Sequence, residues 1–127
     1  MVASGRVLVI FPEAELRPPG SLGELGRGAA WLAARGGAQL LAVSVRVAAR
    51  GHEAPEAYVD VVPVELDGDH VDGTARLADT LTATLADLDA KLLKEDPRRP
   101  LPGFRQVVRG RRSWDERLQR LPAPGRR

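Results

Sequence analysis

The chain has 127 residues, which is the length of one ordinary domain. It contains no cysteine, so disulfides, thiolate metal sites and a cysteine nucleophile are excluded. No apolar run reaches the roughly 20 residues that span a bilayer, and the N-terminus lacks the apolar segment of a signal peptide. We therefore expect a cytoplasmic protein.

The net charge of +2 combines an acidic body with a basic tail. Residues 1–97 carry 9 basic and 15 acidic side chains, a balance of −6. Residues 98–127 carry 10 basic and 2 acidic side chains, a balance of +8. The sequence is therefore divided into a body, residues 1–97, and an Arg-rich C-terminal tail, residues 98–127. Such a charge difference means that the tail can bind a negatively charged partner or surface.

The first predicted elements are a strand and a helix. Residues 6–11 form a continuous apolar run rich in β-branched residues, which is typical of a strand covered on both faces, and Pro12 ends it. The helix is predicted to begin at Ser21, where Glu24 completes a capping box, and to stop at the glycine pair 36–37. Three glycines in its first half each weaken it by about 1 kcal/mol.

Two strands and a long helix complete the body. The strands are predicted at about residues 39–47 and 58–66, and the helix at about residues 71–95, where leucines recur at spacings of three and four. Asp69 and Asp72 are both candidate N-caps for this helix. In the tail, a short helix is predicted at residues 113–121.

The element order predicts an α/β fold. The β-α-β unit at residues 6–47 is typical of a parallel pair with a right-handed crossover. We therefore expect a small mixed, largely parallel sheet with covering helices, in the order β-α-β-β-α. An exposed edge of such a sheet would favour self-association.

Charged residues follow the first predicted strand. Phe11-Pro12-Glu13 leads to Glu15 and Arg17 at the point where an open α/β sheet presents a site. On the pattern alone, these charged residues are either part of a site or a solvated ion pair worth at most about 1 kcal/mol.

The spacing of residues 11–38 resembles that of the glycerolipid (PlsC-type, lysophosphatidate) acyltransferases. Their third block typically reads F-P-E-G-T-R-S, followed by Gly-Leu, a basic residue before Gly-Ala, and Leu-Ala. The resemblance covers residues 5–47, and residues 58–95 look like the trailing strand and helix. The matching residues are Phe11, Pro12, Glu13, Arg17, Gly20, Leu22, Arg27, Gly28, Ala29, Leu32, Ala33, Gly37 and Ala38.

The resemblance implies acyl transfer in phospholipid biosynthesis. An acyl-CoA or acyl-carrier-protein thioester would donate to the hydroxyl of a lysophospholipid or glycerol phosphate. Glu13 and Arg17 would contact this acceptor and Arg27 would assist, because guanidinium forms bidentate, charge-assisted bonds to phosphate. Arg17 stands one residue later than the family's arginine.

The family's catalytic His-x4-Asp motif does not occur in the chain. The residues five positions after His52 and His70 are Ala57 and Ala75. We therefore expect no catalytic residue, no metal and no cofactor, and an acceptor-binding half of such an enzyme that is inactive alone. Its acceptor would place it in the cytoplasm, peripheral to the inner face of the membrane.

The basic tail leaves three alternatives open. Its arginines, with Phe104 and Trp114, could bind anionic lipid headgroups, could bind nucleic acid, or could pack back on the acidic body. Nucleic acid is the least favoured of the three. The alternative function is therefore a non-catalytic module that binds an anionic membrane surface, nucleic acid or a protein partner through its tail.

Overall fold

The fold is a small mixed α/β arrangement of two helices and two strands. The predicted α/β class is therefore confirmed. A computed structural model describes residues 5–15, 18, 20–51, 54–67, 69–108 and 110. In chain order the elements are α1 (Gly28–Gly36), β1 (Leu40–Ala48), β2 (Glu56–Val64) and α2 (His70–Lys94).

The sheet is antiparallel. β1 pairs with β2 from Leu40 opposite Val64 to Ala48 opposite Glu56. The prediction of a largely parallel sheet is therefore wrong for the described strands. The connection at residues 49–55 is short enough for a hairpin, whereas parallel neighbours need a crossover of a dozen or more residues.

Residues 6–11 do not join the sheet, although the sequence predicts a strand there. They belong to no helix or strand. Their side chains are largely exposed, with 89% of Val7, 73% of Val9 and 84% of Phe11 accessible to solvent. This apolar run therefore lacks the cover that its composition led us to expect.

Helix α1 is shorter than predicted at its N-terminal end. It begins at Gly28 instead of Ser21, because Gly23 and Gly26 favour irregular backbone over helix. Its C-terminus lies where the glycine pair predicts it. Gly37 has a left-handed φ of 57°, and the Ala38 N–H donates to the Ala33 carbonyl at 2.9 Å.

Helix α2 is confirmed as a long amphipathic helix. The Asp69 side chain caps its N-terminus, since Oδ1 accepts the Val71 N–H at 3.1 Å. Its buried face packs across both strands of the sheet. This contact forms two apolar clusters. The first contains Ala29, Ala42, Val64, Leu77 and Leu81, and the second contains Tyr58, Leu88 and Leu101.

The second cluster includes the start of the tail. Leu101 is buried, and the ring of Phe104 meets that of Tyr58 edge to face, with centroids 5.3 Å apart. Residues 101–104 therefore pack on the body through apolar contacts. The predicted helix at 113–121 lies outside the described residues, as does Trp114.

The opposite face of the sheet has no covering layer among the described residues. Every second residue of β1 and β2 points to this face, because successive side chains of a strand alternate between the two faces of a sheet. These side chains are all apolar and about half exposed. The larger members are Leu41, Val43, Val45, Val47, Val59 and Val61.

Candidate functional site

Two hydrogen bonds join the Phe11-Pro12-Glu13 turn to the loop that precedes α1. The Gly26 N–H donates to the Pro12 carbonyl at 2.7 Å, and the Gly23 N–H donates to Glu13 Oε1 at 2.6 Å. The second bond is charge-assisted and therefore stronger than a neutral one. Glu13 is half-buried at this junction. The turn is thus held at two points by residues 23–26.

This attachment brings two candidate residues onto neighbouring segments. Arg27 follows Gly26 directly and is the N-cap residue of α1, with φ −70° and ψ −9°. Its side chain is exposed, no side chain caps the helix, and the first turn contains no acidic residue. The first N–H groups of α1 and the Arg27 guanidinium therefore give this end of the helix a positive character.

The structure does not bring all predicted site residues together. Arg17 lies outside the described residues. Glu13 directs one carboxylate oxygen to the Gly23 backbone, so at least part of its function is to hold the loop. The acceptor contacts of Glu13, Arg17 and Arg27 stay predictions.

A groove of about 710 Å³ lies beside this region, between the loop at 20–22, the C-terminal half of β1 and α2. Its apolar lining includes Leu22, Val45, Val47, Leu85 and Ala86. The groove also contains a charged pair, Arg46 and Asp89.

The Arg46–Asp89 pair is bidentate. Arg46 Nε donates to Oδ1 at 2.6 Å and Nη2 donates to Oδ2 at 2.9 Å. The hydrogen bonds lower the pKa of the Asp89 carboxyl and raise the pKa of the Arg46 guanidinium. Because each charge is matched by the other, the pair adds no net charge to the groove.

A second polar cluster joins the hairpin loop to the end of α2. Arg50 is 3% exposed, and its Nη2 donates to the Asp96 carbonyl at 2.9 Å. Its Nη1 donates to the Tyr58 hydroxyl at 3.0 Å, and that hydroxyl donates to Glu56. Burial, followed by the bond to Glu56, raises the pKa of Tyr58 although Arg50 opposes the rise. This cluster holds the hairpin loop against the C-terminus of α2, where a positive charge interacts favourably with the helix dipole.

Neither of these two clusters was predicted from the sequence. One pattern could have located Arg46, since it falls on the same side of β1 as Ala42 and Ser44 and therefore points inward. A charge on an inward-facing position requires a partner. Nothing in the sequence selects Asp89 as that partner, because α2 carries several other acids.

Within the described ranges, no group of three or more His, Asp or Glu side chains is placed to hold a metal ion. His52 lies outside these ranges, and His70 is the first residue of α2. In the same part of the chain, no helix has the length and apolar character needed to cross a membrane.

No protein-family model, curated protein or solved structure matches the chain. The likeness to glycerolipid acyltransferases therefore rests on the motif residues themselves, and its functional consequences are proposals.

Proposed function

We propose that the chain is the acceptor-binding part of a glycerolipid acyltransferase-like protein and performs no acyl transfer alone. The observation that supports this proposal is the attachment of the Pro12-Glu13 turn to the loop before α1. The attachment places Glu13 and Arg27 on adjoining segments at the positive end of a helix. Phosphate of a glycerol-phosphate acceptor is the ligand that suits such an end.

Each residue has a separate part in the proposed site. Glu13 holds the loop in place through the Gly23 N–H, which fixes where Arg27 and α1 begin. The Arg27 guanidinium binds phosphate oxygens, and Arg17 supplies the second cation that the resemblance implies. Because the body carries a net charge of −6, the affinity must come from these local contacts rather than from long-range attraction.

Acyl transfer needs a group that this chain lacks. The acceptor oxygen must lose its proton as it bonds to the thioester carbon, after which the carbon–sulfur bond breaks and the thiol leaves. A histidine held by an aspartate usually takes that proton. The chain has no His-x4-Asp motif, so the base would have to come from outside these 127 residues.

The first prediction concerns Arg27 and the acceptor. Titrating glycerol 3-phosphate into the ¹⁵N-labelled chain should shift the amide resonances of residues 23–29. Arg27→Gln should weaken the affinity about tenfold, which corresponds to about 1.4 kcal/mol for the loss of a charge-assisted bond. Arg105→Gln, which removes the same charge from an exposed tail residue, should leave the affinity unchanged.

Two results would contradict the proposal. Equal losses in both arginine variants would mean that the phosphate responds only to net charge. Acyl transfer by the isolated chain from acyl-CoA to an acceptor, abolished by Glu13→Gln, would disprove the predicted inactivity.

The described part of the tail favours no second function. Phe104, one of the two aromatic residues that we considered for membrane contact, packs against Tyr58 instead. Membrane, nucleic-acid or protein binding by the tail at residues 98–127 stays an alternative, and seven of the ten arginines of this tail lie outside the described part of the chain.

A further inference from the structure

The two outer edges of the sheet differ in their capacity to pair. β2 contains Pro63, which has no N–H to offer and is tolerated in strands mainly at an edge. β1 contains no proline. Its inner edge pairs with β2, and no backbone hydrogen bond joins its outer edge to another described segment. β1 therefore presents an edge that can accept a further strand.

The groove described above gives this edge a largely apolar floor, in which the charges of Arg46 and Asp89 are paired with each other. It lies between Val45 and Val47 of β1 and Leu85 and Ala86 of α2. A strand added to β1 would place one row of side chains over this groove and the other beside the open apolar face of the sheet. Both rows should therefore be apolar.

Residues 6–11 meet that requirement. Their five consecutive apolar residues have no role in the core, since the exposed fraction runs from 37% for Ile10 to 89% for Val7. As a strand, the segment would carry Val7, Val9 and Phe11 on one side and Leu8 and Ile10 on the other. Six residues span about 20 Å as a strand, which fits within the nine residues of β1.

We propose that residues 6–11 of one copy add as a strand to the outer edge of β1 in a second copy. Each chain carries both a donor segment and an acceptor edge, so the exchange is reciprocal and closes as a two-fold dimer. A second copy is the favoured occupant because the chain itself contains a strand-forming segment that its own sheet leaves unused. The proposal goes beyond the acceptor site and does not depend on it.

The Phe11-Pro12-Glu13 turn limits which residues can take part in strand exchange. The bond between the Pro12 carbonyl and the Gly26 N–H holds the end of the donor segment on the body of its own chain. Only the residues before Pro12 are then available to reach a neighbour. This arrangement leaves the core clusters of each copy intact, so the variants below should fold.

The oligomeric state of the full chain tests the proposal. Light scattering across a concentration series should give a dimer for the unmodified chain. Val9→Pro should give a monomer whose helical circular dichroism signal is unchanged, because proline removes a ladder hydrogen bond from the donor and leaves both helices intact. Val107→Pro is the matched control, at an apolar residue that is 82% exposed and belongs to no helix or strand, and it should stay dimeric.

Cross-linking identifies the contacting segments. Since the chain has no cysteine, Val9→Cys and Val45→Cys introduce single thiols, and only one variant is labelled with ¹⁵N. After mixing, a short bismaleimide should join position 9 of one isotopic form to position 45 of the other. A variant that carries both Val9→Cys and Val45→Cys tests for a link within one chain. The proposal would be overturned by a monomeric unmodified chain, by a Val9→Pro variant that stays dimeric, or by a 9–45 link that forms only within one chain of this double variant.

Discussion

At the scale of single residues, Arg50 illustrates how one side chain joins distant segments. It belongs to the hairpin loop, and its buried guanidinium donates to backbone carbonyls at the end of α2. Burying a charge is costly unless polar groups replace water, and here two carbonyls and the Tyr58 hydroxyl do so. The Nε atom has no partner among the described residues, so this compensation is incomplete.

The residue after Arg50 gives the second prediction. Gly51 has a φ of +57°, and a Cβ there would lie 2.9 Å from the Pro97 carbonyl oxygen. Gly51→Ala should lower the free energy of unfolding by about 2 kcal/mol, because it adds left-handed strain to a clash with rigid backbone. Urea denaturation measures this change.

Gly36→Ala is the control for that substitution. Gly36 lies at the end of α1 and no atom would meet its Cβ within 4 Å, so alanine should be neutral or stabilise by up to about 1 kcal/mol. Similar destabilisation at both positions would mean that the contact with Pro97 is unimportant.

Tyr58 gives the third prediction, which concerns alkaline pH. Burial and the bond to Glu56 raise the pKa of this phenol above its ordinary value of 10.0. Since the folded pKa exceeds the unfolded one, the stabilisation is complete below pH 10.0 and is lost as the pH rises through the folded pKa. Urea unfolding in alkaline buffers should show this loss, and Tyr58→Phe should reduce it.

The phenolate absorbance supplies an independent check. The chain has one tyrosine, so the optical titration reports Tyr58 alone. A midpoint at or below that of a model tyrosine would contradict the effect of burial. An unchanged alkaline slope in Tyr58→Phe would assign the loss of stability to other groups.

At the scale of elements, local patterns located the long helix better than the short one. α2 has leucines on one face and an Asp at its N-cap, so periodicity and capping agree about where it lies. In α1, glycine-rich sequence and a capping-box pattern conflict. In the structure the backbone before Gly28 is irregular and not helical. Gly23 and Gly26, which lie in this irregular segment, bind the Pro12-Glu13 turn.

The N-cap of α2 gives the fourth prediction. The sequence allows either Asp69 or Asp72 as the cap, and the structure assigns Asp69 through the Val71 N–H. Asp69→Ala should lower the free energy of unfolding by about 1 kcal/mol. Asp72→Ala, which removes the same charge from the first turn, should cost about half as much, because only the interaction with the helix dipole is lost. Equal losses on thermal or urea unfolding would contradict this assignment.

At the scale of the whole molecule, the described residues form a sheet that helix covers on one face and leaves open on the other. α2 covers the inward side chains of both strands, and the start of the tail extends the same core through Leu101. The outward face is wholly apolar and half exposed, and residues 6–11 are exposed as well. Such an area of apolar surface is characteristic of proteins that bind a partner. In the proposed strand exchange, that partner is a second copy of the chain.

Features that depend on neighbouring residues could be predicted from the amino-acid sequence alone. The periodicity of α2, the glycine that ends α1, and both strands of the hairpin were predicted to within about two residues. The motif also selected Glu13, Arg17 and Arg27 as candidates for one site, and their role in binding stays a prediction.

How the helices, strands and charged residues combine became known from the three-dimensional structure. It made the sheet antiparallel, left residues 6–11 outside it, and paired Arg46 with Asp89, 43 positions away in the chain. It also turned one oxygen of Glu13 toward the Gly23 backbone. Local preferences act over a few residues, whereas strand pairing and buried charge pairs depend on which surfaces meet after collapse, and a single sequence contains several equivalent partners for each.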